Sequence, residues 1–233
     1  GRGFVRAWSS IAAAACSMTM LGQTPVESWQ YHAPFRESLR IAVLEDRVLA
    51  LSPYGLVSLE VDGRVLTAQS TVEGLSGVGM TSLAASPDGQ YALIGYQDGR
   101  IDRWTPDEVR SIDDIPRSGQ FQGRTTLFDW AFAGPDKAFI AADFGLVELD
   151  LVLNAVRGTY RIRRDSEPMR VSAVAVLGDS VFAATEQGLK SASLLAPLYL
   201  PSSWQSSGRF ADSVITSLAA VQGKLTAVSA GRA

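Results

Sequence analysis

From Leu39 onwards the chain alternates short apolar runs with clusters of turn-forming residues, and one unit of that alternation recurs. Each unit reads as an apolar run rich in small residues, a tight turn, a second apolar run, a glycine and a third alternating run. The second runs are RVLALSPYG from Arg47, QYALIGYQDG from Gln90, KAFIAADFG from Lys137, SVFAATEQG from Ser180 and KLTAVSAG from Lys224. Their closing glycines, Gly55, Gly99, Gly145, Gly188 and Gly231, recur about every 44 residues. Runs this short, bounded by turn residues and lacking a helical period, are strands. A repeat of that length built only from short strands is what a four-stranded propeller blade requires, whereas helical repeats of similar length carry a 3.6-residue period.

The pattern therefore predicts an all-β fold, a β-propeller of four-stranded antiparallel blades. Blades are expected to start near residues 39, 80, 126, 171 and 213. Residues 39–233 hold about 4.4 such units, so an incomplete ring, truncated at the C-terminus, is expected. Asp62-Gly63, Asp88-Gly89 and Asp98-Gly99 sit between apolar runs, where glycine supplies the positive φ of a tight hairpin. The first run of each unit, as in Thr81–Ser86 or Ser172–Val176, is rich in small residues, suiting the innermost strand where the blades taper. Phe128, Trp130, Phe132, Phe139 and Phe182 are expected to fill the space between blades. Ser28-Trp29-Gln30 recurs as Ser203-Trp204-Gln205, and both are read as outermost strands. Trp29 precedes the first blade, so residues 23–38 are expected to form a lead segment whose strand closes the ring, leaving no open sheet edge.

The first 22 residues do not fit the repeat. Arg2 and Arg6 precede an apolar, alanine-rich stretch from Ala7 to Gly22, after which the chain turns polar, the layout of a secretory signal peptide. Ala13-Ala14-Ala15-Cys16 loosely resembles a lipobox, which leaves lipidation of Cys16 open. The expected localisation is export, to the periplasm or to the outer membrane and cell surface.

Composition narrows the function classes. With 46% hydrophobic and 19% charged residues the chain has a globular composition, and its net charge of −3, without a lysine or arginine run, lacks the footprint of a nucleic-acid binder. Cys16 is the single cysteine and His32 the single histidine, so no disulfide framework, cysteine-based zinc site or Ser-His-Asp arrangement is expected. No glycine-rich phosphate loop occurs, and no cofactor, metal or catalytic residue is expected. Ser86-Pro87-Asp88-Gly89 is read as a turn, and Asp113-Asp114 before Pro116 as a solvated loop. One candidate site remains, an anion-binding patch of Arg157, Arg161, Arg163, Arg164 and Arg170, whose guanidinium forks suit phosphate or an anionic sugar. Asp165 and Glu167 partly neutralise it, and a charged loop between blades is the competing reading.

Several motifs resemble, in order, the N-terminal β-propeller family of PorZ, a surface component of the type IX secretion system, and more loosely the two-component regulator propellers. They are Ser28-Trp29-Gln30-Tyr31, Glu73-Gly74-Leu75-Ser76, the run Leu93–Asp102, the run Ala141–Asp150, Thr159-Tyr160 and Ala183–Leu189. The resemblance implies a seven-bladed ring without catalysis. It also implies protein partners in an outer-membrane attachment complex that includes a sortase-like protease, with lipopolysaccharide as an anionic ligand. A periplasmic ligand-sensing propeller of a hybrid two-component regulator is the alternative it leaves open.

Overall fold

The computed structural model describes residues 37–63, 65–121, 123–162, 169–210 and 213–229. The signal-peptide reading, Cys16, Trp29, His32, Arg163, Arg164 and Gly231 fall outside the described residues. The described chain forms five antiparallel sheets, four of them four-stranded, each following the chain in order. The first contains β1 (Arg40–Val43), β2 (Arg47–Ser52), β3 (Gly55–Glu60) and β4 (Leu66–Gln69). The second contains β5 (Met80–Ala85), β6 (Ala92–Tyr96), β7 (Ile101–Trp104) and β8 (Val109–Ile112). The third contains β9 (Leu127–Phe132), β10 (Lys137–Ala142), β11 (Gly145–Asp150) and β12 (Ala155–Tyr160). The fourth contains β13 (Val171–Leu177), β14 (Ser180–Thr185), β15 (Gly188–Ser193) and the short β16 (Gln205–Ser206); β17 (Ile215–Val221) and β18 (Lys224–Ser229) form the fifth.

Successive sheets meet through their first strands, β1 against β5, β5 against β9, β9 against β13 and β13 against β17. That arrangement, sheets packed face to face around shared innermost strands, is a propeller. The core is accordingly divided into four layers, one between each pair of neighbouring sheets. Leu51, Leu56, Met80, Tyr96 and Trp104 lie in the first layer, and Leu93, Ile101, Trp130, Ile140 and Val147 in the second. Phe139, Val174, Val181 and Trp204 lie in the third, and Ala173, Ala184, Leu189, Ile215 and Leu218 in the fourth. β6 lies between two flanking sheets and has both faces covered, which explains why Ala92–Tyr96 is buried throughout and reads as an unbroken apolar run. Trp130 and Phe139 are buried between sheets, and Phe128, Phe132 and Phe182 pack partly buried against the same layers.

A feature of the inner strands is invisible in the apolar pattern. In four of the five sheets the second residue of the inner strand is skipped by the pairing register, making a bulge at Thr81, Phe128, Ser172 and Thr216. At two of these positions the bulged hydroxyl reaches the next sheet. Thr81 Oγ1 donates to the Leu127 carbonyl of the third sheet at 2.6 Å, and Ser172 Oγ to the Ile215 carbonyl of the fifth at 2.8 Å. The next position also links sheets. Trp130 Nε1 donates to Ser82 Oγ at 2.9 Å, and the Val174 amide donates to Asp129 Oδ2 at 3.1 Å.

One turn of helix, α1 (Asp114–Ser118), replaces the solvated loop expected at Asp113-Asp114. Pro116 is tolerated because first-turn amides lack helical partners, and Gly119 closes the turn in the left-handed region at φ 62. The two carboxylates part company: Asp113 pairs with Arg117 at 2.7 Å, whereas Asp114 Oδ2 accepts the Val156 amide of β12 at 2.7 Å. Ser86-Pro87-Asp88-Gly89 is a turn, with Gly89 at φ 68 and the Ser86 hydroxyl accepting the Gln90 and Tyr91 amides.

Candidate functional site

Antiparallel strands bring every turn between second and third strands, and every connection between sheets, to the same face of the propeller. Two buried carboxylates brace that face from within. They lie on opposite faces of their sheets: Asp102, opposite Ile94, faces the first layer, and Glu148, opposite Phe139, faces the third. Asp102 is fully buried and accepts the Tyr96 phenol, the Ser76 hydroxyl and, at 2.9 Å, the Ser76 amide. Arg100 donates to the Ser76 carbonyl and pairs with Asp98 at 2.5 Å, so the connection between the first two sheets is held at both polar ends of Ser76. Glu148 accepts the Tyr160 phenol and pairs with Lys137 at 3.1 Å. Burial, then the adjacent carboxylates, push the Tyr96 and Tyr160 phenols well above the ordinary tyrosine value, so both stay protonated donors.

Asp129 differs because it makes no close ion pair among the described residues, the Arg40 guanidinium acting on it only from a distance. Desolvation raises its carboxyl above the ordinary value, opposed by the Val174 amide. The native carboxyl therefore keeps its proton at pH values where the unfolded chain has lost it. Its favourable contribution is complete below the unfolded value and is lost as pH rises through the native one. The carboxamide introduced by Asp129→Asn would accept the same amide without titrating. Wild-type stability relative to Asp129→Asn is thus expected to increase on acidification from about pH 6 to about pH 3. Denaturant midpoints of both proteins across that range check this; parallel profiles would refute it.

The same face opens into a cleft of about 400 Å³ where the third and fourth sheets meet. The connection into the third sheet contributes Gln120, Phe121 and Arg124, and the β10–β11 turn contributes Asp143 and Phe144. Arg161 and Arg170 come from the connection into the fourth sheet, and Glu186 from the β14–β15 turn. Asp143 is fixed by its backbone, its amide donating to the Thr126 carbonyl at 3.1 Å and its Oδ2 accepting the Thr126 amide at 3.2 Å. Arg170 lies over the Phe128 ring, 4.2 Å from its centre, and reaches Asp143 only at 3.9 Å. Phe121 and Phe144 stack with ring centres 4.1 Å apart. Arg124 is exposed and has no ion pair among the described residues.

Of the sequence candidates, Arg161 and Arg170 are thus brought into one cleft. Arg157 is not. Its guanidinium lies 3.8 Å from Glu148, on the face of the third sheet turned to the fourth, while β12 also borders a second cleft of about 330 Å³ with Asp114, Gln120 and Phe121. Arg163 and Arg164 lie outside the described residues. Sequence reasoning missed Arg124, Phe121 and Phe144. Superposing the units would not have pointed to Arg124, because Thr126, not Arg124, precedes its inner strand as Arg170 does.

Inner-strand packing, four-stranded meanders and a face built from turns define a β-propeller. The model of the type IX secretion PorZ N-terminal β-propeller domain matches residues 48–205, well over half of the 233 residues. The chain belongs to that family. Among solved structures it is similar to PorZ of Porphyromonas gingivalis, a bacterial surface component of the type IX secretion system, with a TM-score of 0.71 and 21% identity; the match covers 82% of this chain and 25% of that one. It is also similar to the extracellular domain of the putative one-component system BT4673 from B. thetaiotaomicron, with a TM-score of 0.63 and 15% identity, covering 89% of this chain and 27% of that one. The chain thus spans about a quarter of the length of these proteins. No curated protein sequence matches it.

Proposed function

We propose that this chain is a non-enzymatic, exported scaffold that works at the cell surface in type IX secretion. It joins protein partners of an outer-membrane attachment complex, a sortase-like protease among them, and comes near anionic lipopolysaccharide. The family match over residues 48–205 carries the reading. In it, residues 1–22 act as an export signal, 23–38 as a lead segment with a closing strand, and 39–233 as part of the ring. The anionic contact in this reading is assigned to the patch of Arg157, Arg161, Arg163, Arg164 and Arg170.

The likeness to the BT4673 extracellular domain favours a second reading, a periplasmic ligand-sensing propeller of a hybrid two-component regulator. One experiment separates the two. The full-length protein is tagged at its chromosomal locus in the producing cell, protease is added to intact cells, and the gene is then deleted. Digestion of the tagged protein from outside, with type IX cargo lost from the surface of the deletion strain, is expected. Protection from external protease with cargo display intact would overturn the scaffold reading.

A further inference from the structure

The outer strand of each sheet leaves one edge of its main chain unpaired, and such an edge invites a further strand unless charge, a bulge or a cover blocks it. Three of the four outer strands are blocked. β8 carries Arg110, paired with Glu108 at 2.9 Å. β12 skips Arg157 in a bulge, and its Val156 amide is taken by Asp114 of α1. β16 has only two residues. β4 has none of these devices: Leu66-Thr67-Ala68-Gln69 holds no charge, proline or bulge, and its first three residues are exposed. Its register shows what the edge offers. The Glu60 amide donates to the Val65 carbonyl at 3.1 Å, so Val65, Thr67 and Gln69 turn their main chain toward β3. Leu66 and Ala68 turn theirs outward, where no strand pairs with them among the described residues. A cleft of about 280 Å³ adjoins this edge, between the first and second sheets, with Glu60, Thr67, Gln69 and Trp104 in its walls. Two of its charged groups are committed: Arg47 is bonded twice to Asp46, and Glu73 holds the Ser70 amide and hydroxyl. Glu60 makes no close ion pair among the described residues, Arg47 acting on it only from a distance.

We infer that the outer edge of the first sheet takes an extended basic segment of a protein partner as a fifth strand, its main chain on Leu66 and Ala68 and a lysine or arginine side chain in the cleft at Glu60. The site stands on the sheet geometry; only the partner's place at the cell surface is taken from the scaffold reading. An extended polypeptide repeats its donors and acceptors at the spacing of an edge, about 3.3 Å per residue, and seats alternate side chains in a neighbouring pocket. Neighbouring strands lie about 4.8 Å apart, so a side chain that crosses β4 to reach Glu60 on β3 must be long, as lysine and arginine are. Charge complementarity gives the same answer, since Glu60 is the carboxylate of the cleft left without a close partner among the described residues. A second copy of this chain would bring β4 itself, which holds no cation.

The test uses the full-length protein and a short fluorescein-labelled peptide of alternating valine and lysine, read by fluorescence anisotropy. Saturable binding is expected, and none with glutamate in place of lysine. Ala68→Pro removes an outward amide that has no strand partner, so the fold is kept, as an unchanged thermal midpoint will show, while binding weakens at least about tenfold. Glu60→Gln is expected to weaken the lysine peptide about fivefold and to leave a peptide of alternating valine and serine unaffected. Methyl groups on one set of alternate peptide nitrogens are expected to abolish binding, and on the other set to leave it, because an added strand turns only every second amide to the edge. Equal effects of the two sets, or full affinity in Ala68→Pro, would overturn the inference. So would a dimer of the protein that Ala68→Pro dissolves, with no peptide bound, which would place a second copy on the edge. Failure of peptide binding while deletion still strips cargo from the surface would sink the edge site and leave the scaffold reading standing.

Discussion

Replacing Asp102 by alanine is expected to lower the unfolding free energy by about 4 kcal/mol, one of the largest losses available to a single substitution in this chain. The carboxylate has no exposed surface and is the acceptor for three donors, the Tyr96 phenol and the Ser76 amide and hydroxyl. Removing it leaves a buried phenol without an acceptor and frees the connection between the first and second sheets. Leaving one buried donor unsatisfied costs about 1–3 kcal/mol, and bonds to a charged group are the stronger kind. Asp102→Asn keeps an acceptor oxygen but brings an amide group where only acceptors are wanted, so it should lose about half as much. In denaturant titrations, Ser76→Ala should cost much less in the Asp102→Ala background than in the wild type. Additive losses would show that the two residues do not act through each other.

Gly95→Val should destabilise the protein by about 3 kcal/mol, for a steric reason. Gly95 is in the middle of β6, where a side chain would point into the layer between the second and third sheets. A Cβ there would stand 2.4 Å from Ser82 Oγ and 2.9 Å from Leu127 Cβ, with the Trp130 ring at 3.2 Å. Leu127 and Trp130 lie on the neighbouring inner strand, so the sheets themselves must separate to admit valine. Gly95→Ala should cost less, and part of that cost should return in the Ser82→Ala background, because the nearest clash is with that hydroxyl. Thermal and denaturant midpoints measure all of these. A valine variant as stable as the wild type would mean that the sheets are not packed this closely.

These two residues also show how far sequence reasoning reached. Both lie in the run Leu93–Asp102, which the recurrence identified as a buried strand, a turn and a third strand. The turn was legible because Asp98-Gly99 demands a left-handed glycine, observed at φ 82. The role of Asp102 was not. A single aspartate in an alternating run reads as a solvent-facing position, and only the neighbouring connection, bringing Ser76 from 26 residues away, makes it the acceptor of a buried network. The motifs Glu73–Ser76 and Leu93–Asp102, which carried the family resemblance separately, are joined by that network. The inner-strand bulges were hidden similarly, since a skipped residue such as Thr81 leaves the apolar alternation almost intact while redirecting one hydroxyl to the next sheet.

The candidate site was legible only in part. Arginine density pointed to the connection between the third and fourth sheets, where Arg161 and Arg170 line the cleft, but density cannot tell which way β12 turns Arg157. Nor could it supply Arg124 and Phe121, which reach the same cleft from a connection about 40 residues earlier in the chain.

What the sequence determined by itself was therefore the repeating unit: strand, turn, strand, glycine, strand, at one period and in one order. Those features arise from neighbouring residues, through alternation, turn geometry and burial, and so they survive without knowledge of the fold. What only the tertiary structure decided was which side chains of one unit answer to the next. Asp102 with Ser76, Trp130 with Ser82 and Asp143 with Arg170 each join different units or the connections between them, and such distances are set by how whole sheets pack rather than by any local run of residues.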